Sequence, residues 1–370
     1  MLSYWEREQF LKKPDFCIVG SGIVGLTTAL FIKRQYPHSE VVVVEKGFLP
    51  DGASTKNAGF CCFGSVSELA DDMEKWPKND VLALAEKRFK GLGLLRNLLG
   101  DQNMGYEAFG GYEIFRTNDD FEKYLERSAE FNRELASIGE NVYSNASSKM
   151  NDFGFKGVAG MIRNNYEGQV NTGIMIERLL GLVKEAGVKL FFGLEIDSFS
   201  DTGTNVQVHT KNEVDFTCGK LVITTNGFAK KLLPELDVQP ARAQVLITNP
   251  IENLKFKGSF HYDEGYYYFR NVGNRVLFGG GRNLDFTTEN TYDAGLTNLV
   301  QHKLEELLNT VILPQTPYEI DMRWSGVMGV GSEKKTIVKA ISSHVFCGVR
   351  MGGMGVALGS LVGKELSELV

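Results

Sequence analysis

The sequence predicts an α/β fold in which two domains are interleaved along the chain. Three observations predict it. Between Asp15 and Glu45 an apolar run, a glycine turn, a periodic helix and a second apolar run follow one another. Helix and strand signals punctuated by glycine return at 167–199 and again at the C-terminus. Between them, alternating segments read as antiparallel strands.

The first unit reads DFCIVGSGIVGLTTALFIKRQYPHSEVVVVEK. Phe16 to Val19 is the first strand, and Gly20, Gly22 and Gly25 give GxGxxG spacing. The helix runs through Leu26, Leu30 and Ile32, and Val41 to Val44 is the second strand. Gly20 permits the tight turn, Gly22 lets the backbone approach a pyrophosphate, and Gly25 lets the helix pack close to the sheet. Ile23 and Val24 sit in the first helical turn, where free N–H groups and the helix dipole favour phosphate. Glu45, followed by Lys46, is placed to accept hydrogen bonds from a ribose. The unit therefore reads as a dinucleotide site.

Beyond it, 66–99 reads as helical with a break at Trp76-Pro77, Gly110 to Arg116 as a strand, and Asp119 to Ile138 as a helix. Ile174 to Glu185 is a helix ending at Gly187 and feeding the strand Lys189 to Phe192. Val206 to Thr210 and Glu213 to Thr217 read as a hairpin. Lys220 to Thr225 is apolar enough for the centre of a parallel sheet. Pro240 to Thr248, Tyr266 to Val272 and Arg275 to Gly280 read as antiparallel strands, and Thr297 to Leu308 as a helix. The strand Val345 to Val349, a glycine turn and a helix from Val356 close the chain.

Composition excludes several classes. The 370 residues suffice for two domains, with 43 % hydrophobic and 23 % charged residues. A net charge of −6 leaves no electrostatic footprint for nucleic acid. No apolar run reaches membrane-span length. The N-terminal stretch carries acids and no continuous apolar core, so no secretory signal is expected. The five cysteines lack CxxC spacing and the five histidines form no HxxxH pair, so neither a disulfide framework nor a metal site is expected. A reduced, cytoplasmic setting fits best.

Five separated signatures give the chain a resemblance over nearly its whole length. They are GSGIVG with Glu45; GASTKNAGF at 52–60; EGQVNTGIMIERLLGLVKEAGV at 167–188; LVITTNGF followed by PARAQVLIT; and the pair RWSGVMG and GVRMGGMGVALGSLVGKEL. Together they resemble FAD-dependent oxidoreductases of the D-amino-acid oxidase and glycine oxidase type. YYYFRNVGNRVLFGGGR and GVALGSLVGKEL look most like the gamma-glutamylputrescine oxidase branch.

The resemblance implies a Rossmann-type FAD-binding domain (1–80, 166–235 and 322–370) interleaved with an antiparallel-sheet substrate domain (81–165 and 236–321). It implies non-covalent FAD. Ala53, Ser54, Thr55, Asn57, Ala58 and Gly59 would run under the pyrophosphate and beside the isoalloxazine. Ile196 would lie near the adenine, with Thr225, Asn226 and Gly227 as the matching turn beneath the dinucleotide. Backbone N–H groups of Gly352, Gly353, Met354 and Gly355 would face the flavin pyrimidine and favour its reduced, anionic form.

Strand alternation in YYYFR puts Tyr266, Tyr268 and Arg270 on one face, and that face is expected above the flavin. Tyr268, Arg270 and Arg350 are the candidate catalytic residues, with Arg282 a further one. His261 reads as a surface or packing histidine, and Cys61 and Cys62 as buried small apolar residues. Three departures from the family stand out. Met328 occupies the position of the carboxylate-binding arginine of D-amino-acid and glycine oxidases. Gly59 and Ala357 stand where sarcosine oxidases carry an arginine and a lysine. No cysteine is placed to tether the flavin.

The expected activity is oxidation of a C–N bond in a small amine or amino acid, by hydride transfer to flavin N5 and hydrolysis of the imine, with oxygen or a carrier as final acceptor. No acid–base dyad is evident. VLFGGGR carries no lysine near N5, which favours an acceptor other than oxygen. Two other readings stay open: a dehydrogenase of an amine or 2-hydroxy acid passing electrons to a quinone or carrier, and a flavin-binding subunit without turnover.

Overall fold

The computed structural model describes residues 3–10, 12–211 and 213–370. Two large sheets organise it. The six-stranded sheet runs in the order Ile337–Ala340, Val345–Val349, Lys220–Ile223, Phe16–Val19, Val41–Glu45 and Lys189–Phe192. Its last five strands are mutually parallel, and only the Ile337–Ala340 edge is antiparallel. The central strands are buried on both faces, which is why they read as unbroken apolar runs. The helix Ile23–Gln35 follows the first strand, and the C-terminal helix Gly355–Leu369 packs beside it.

The second sheet has eight strands: Ile320–Val330, Gln239–Thr248, Arg275–Gly280, Tyr267–Val272, Ser259–Tyr262, Gly111–Phe115, Gly160–Asn164 and Tyr143–Asn145. All neighbours are antiparallel except Ser259–Tyr262 beside Gly111–Phe115. Its apolar face stacks Tyr112, Phe260 and Phe269, and the last two rings lie 4.7 Å apart and nearly parallel. A three-stranded sheet, Ile196–Asp201, Val206–Thr210 and Phe216–Cys218, shares a core with one face of the first sheet. Phe60–Cys61 pairs with Gly168–Gln169.

Differences from the sequence reading are local and have physical causes. The helix expected to reach Ile138 is Asn118–Glu134, opened by the Thr117 side chain, which accepts from the Asp120 N–H. The second arm of the hairpin is Phe216–Cys218, because Glu213 adopts φ +57° and belongs to the turn. The domain boundaries need two corrections. Position 322 falls inside Ile320–Val330, which pairs along its length with Gln239–Thr248, so the cut belongs after Val330. Helix Lys78–Leu99, expected in the substrate domain, packs on the C-terminal helix and shares its core with the first sheet. At their crossing a Cβ on Gly91 would lie 2.0 Å from the Ala357 carbonyl oxygen, and Ser360 Oγ donates to the Gly91 carbonyl.

Candidate active site

A cavity of about 650 Å³ runs from the carboxyl ends of the parallel strands to the face of the antiparallel sheet. That is the crevice where open α/β sheets bind ligands. At the strand end, Gly20, Gly22, Ile23, Val24, Glu45 and Lys46 line it. Gly25 does not, and its role is packing: a Cβ there would meet the Gly20 carbonyl oxygen at 1.9 Å. The buried Glu45 carboxylate is fixed by the Ser21 N–H and hydroxyl at 3.0 and 2.8 Å and by the Gly47 N–H at 3.1 Å. Lys46 Nζ lies 3.9 Å from the centre of the Phe228 ring.

The loop 52–60 follows the second strand as expected. Ala53, Ser54, Asn57, Ala58 and Gly59 line the cavity, while Thr55 turns inward and donates to the Pro50 carbonyl. Ser54 Oγ accepts the free Ile23 N–H at the helix start. The Asn57 side chain holds the loop: its amide donates to Ser54 O, and its oxygen accepts from Gly59 N and Thr172 Oγ1. Asn57 therefore shapes the wall and offers backbone to the cavity.

Ile196, Thr225 and Asn226 line the cavity too, and Gly227 packs beneath it against Met328 O. Asn226 Oδ1 accepts the Arg350 and Met351 N–H groups, which ties this turn to the C-terminal glycine turn. Thr225 Oγ1 is buried with no protein partner.

Gly352, Gly353, Met354 and Gly355 all line the cavity. Their N–H groups are not equally free. Gly352 donates to Gly329 O and Met354 to Met351 O. The donors offered to a ligand are those of the first helical turn from Gly355, which have no carbonyl partner within the helix.

On the antiparallel face, Tyr268 lines the cavity, and burial pushes its phenol up to about 12. Arg270 shares its strand face but not its exposure. Its Nε donates to Ala58 O at 2.5 Å and its Nη2 to Val170 O at 3.0 Å, and burial lowers it to about 10. It fills the space beside Gly59 (φ +74°), where a Cβ would lie 2.7 Å from Nη2. The expectation that Arg270 contacts substrate is thus corrected: it is a positioning residue for the loop. Arg350 is corrected in the same way. Its guanidinium pairs with Asp237 and donates to Lys335 O, and at φ +66° it sets the glycine turn from behind. Arg282 is the one arginine lining the cavity among the described residues. Met328, Gly59 and Ala357 line it as well.

Two groups escaped the sequence reading, the Glu68–Asp72–Lys334 cluster and the cavity position of His261, while Cys61 and Cys62 are buried as expected. Glu68 and Asp72, one helical turn apart, hold Lys334 at 3.1 and 2.7 Å, and all three line the cavity. Burial opposes ionisation of Glu68, but Lys334 and Arg88 outweigh it and hold the carboxyl at about 2. His261, expected at the surface or in packing, lines the cavity and is kept neutral by burial, down to about 4. Cys61 and Cys62 are buried thiols, and burial raises Cys61 to about 12.

The residues present fit a dinucleotide, and its redox ring would lie in the part of the cavity that borders the antiparallel sheet. The glycine turn admits no Cβ at Gly25, Thr225 Oγ1 awaits a partner, and free helix N–H groups stand at both ends of one cavity. Fold and site thus define a flavin-dependent oxidoreductase. Residues 15–369 match the DAO model, FAD dependent oxidoreductase, and the chain belongs to that family. It is 24 % identical to gamma-glutamylputrescine oxidoreductase of Escherichia coli, covering 96 % of this chain and 83 % of that one. Glycine oxidase from Bacillus cereus superposes with a TM-score of 0.78 at 17 % identity, covering 96 % of this chain and 94 % of the other. L-proline dehydrogenase from P. horikoshii gives 0.77 at 17 % identity, covering 96 % and 92 %. The chain is therefore an FAD-dependent oxidoreductase.

Proposed function

We propose that this enzyme oxidises a C–N bond in a small amine, or an amino acid, held between the flavin and the tyrosine strand. The observation that carries this is the cavity's two-sided lining: a dinucleotide cradle on one side, and Tyr268 with Arg282 on the other. When bound, FAD supplies the two-electron acceptor, taking a hydride at N5 from the substrate α-carbon, and the imine released hydrolyses in water. Tyr268 orients the substrate and excludes water, and Arg282, just past the end of the strand Arg275–Gly280, supplies a cation to the cavity. The first-turn N–H groups from Gly355 favour the anionic form of the ring. FAD is held non-covalently on this reading: among the described residues Cys62 is the one cysteine lining the cavity, and burial raises its thiol, which disfavours the thiolate. Buried free thiols also support a reducing, cytoplasmic setting.

With Met328, Gly59 and Ala357 in the cation positions, the favoured substrates are amines without a free α-carboxylate. A carrier-linked dehydrogenase is the second reading. It is favoured by the strand Arg275–Gly280, which brings only Gly280 to the cavity lining and no lysine. Anaerobic titration with a panel of amines, amino acids and 2-hydroxy acids tests the class, and peroxide release under air tests the acceptor.

A further inference from the structure

His261 stands at the middle of a polar row that crosses three strands. Its register partners are Tyr268 on one side and Glu113 on the other, so all three project from the same face of the sheet. Tyr268 and His261 line the main cavity. His261 also borders a small interior pocket shared with Glu113, Glu167 and Tyr143, so its ring forms the wall between the two spaces. Its Nε2 is buried, has no hydrogen-bond partner, and lies 3.9 Å from Glu167 Oε2. The Phe60 ring packs edge-on to both His261 and Tyr268 and holds the imidazole in place.

We propose that His261, backed by Glu167, is the base that takes the ammonium proton from an amine substrate in the cavity. The inference rests on the amine-oxidation reading above. Hydride leaves an α-carbon only when the attached nitrogen has a free lone pair, whereas a simple amine enters largely as ammonium at neutral pH. In the proposed step the substrate N–H bond breaks, an N–H bond forms on the imidazole, and the ring nitrogen facing Glu167 releases its proton to the carboxylate. No electrons move, and no co-reactant is required.

The surroundings suit this task. Burial keeps the imidazole neutral, so it passes a proton on to Glu167 and does not hold one, and the Glu68 charge acts in the opposite sense. Glu167 is pushed up to about 8 by burial, against the Phe63 and Gly64 N–H groups that it accepts from. Glu113, held by Ser65 and Ser67, is pushed up to about 7. Tyr143 donates to Gly64 O, and Arg88 and Lys334 neutralise Glu68 from the opposite side. Tyr268 is too weak an acid to compete. Glu167 becomes ionised as pH rises through about 8, so the relay works in that ionised fraction, and the carboxyl then holds a proton that a carboxylate of ordinary strength would not.

The test is anaerobic stopped-flow reduction of the holoenzyme by an amine that bleaches the wild type, from pH 6 to 10, in His261→Gln and Glu167→Gln. Retained FAD and reduction by dithionite verify that each variant is folded. At about pH 8, where Glu167 is substantially ionised, both should reduce about 100-fold more slowly, as expected for loss of a general base. The deficit should close as pH approaches the amine's own pKa, a recovery that a merely structural role would not give. If both variants follow the wild-type pH profile, the relay is overturned while amine oxidation stands; if no amine bleaches the wild type, both fall. Should Glu167→Gln not fold, His261→Gln decides alone. A separate readout is ¹⁵N-histidine NMR, with His261 assigned by its loss in His261→Gln. A neutral ring at pH 7 supports the proposal, and an imidazolium there overturns it.

Discussion

Replacing Arg270 with methionine separates two roles that the sequence could not distinguish. The guanidinium is 5 % exposed and satisfies two buried carbonyl oxygens, Ala58 O and Val170 O. Stranding a buried acceptor costs about 1–3 kcal/mol, so two cost about 2–6 kcal/mol. Relief of a desolvated guanidinium offsets part of this. A net loss of about 1–4 kcal/mol remains. Chemical denaturation of the holoenzyme measures it, and FAD affinity should weaken too, because Ala58 and Gly59 line the cavity. Tyr268→Phe is the contrast: it should change stability by under about 1 kcal/mol and act on the rate of flavin reduction. The reasoning is refuted if Arg270→Met keeps full stability and FAD affinity yet loses substrate affinity, because Arg270 would then be a substrate ligand.

Three more outcomes follow from the geometry. Gly25→Val should be purified with little or no FAD, read as flavin per chain, because the Cβ would lie 1.9 Å from the Gly20 carbonyl oxygen and force the turn open. Stability should fall as pH rises from about 5 to 8: Glu113 and Glu167 are raised to about 7 and 8, so their contribution is present below the unfolded-state carboxyl range and lost through those values. Glu167→Gln should flatten that slope in pH-dependent denaturation. Acid precipitation should leave the yellow flavin in the supernatant; a yellow pellet would mean a covalent link.

The nucleotide half of the site was legible in the sequence because its constraints are local. Gly20, Gly22, Gly25 and Glu45 act within one strand–helix–strand unit, and the loop 52–60 follows it directly. The substrate half was not. Alternation put Tyr268 and Arg270 on one face correctly, but whether a side chain on that face reaches the cavity depends on what covers it. Arg270 is covered by the 58–59 loop, more than 200 positions away in sequence. His261 was passed over because its row with Tyr268 and Glu113 exists only through strand pairing, and Ser259–Tyr262 is a four-residue strand without a periodic signal. The triad Glu68, Asp72 and Lys334 likewise joins segments some 260 residues apart.

The central claim is that this cavity oxidises an amine or amino acid with bound FAD. Its most direct test is the flavin absorbance of the purified holoenzyme under anaerobic titration with the substrate panel. The account predicts that at least one amine or amino acid bleaches the oxidised flavin band completely, with amines lacking an α-carboxylate foremost. If dithionite bleaches the band but no amine or amino acid does, the claim is contradicted: bleaching by a 2-hydroxy acid would move the enzyme to another substrate class, and no bleaching at all would leave a flavin-binding protein without this activity.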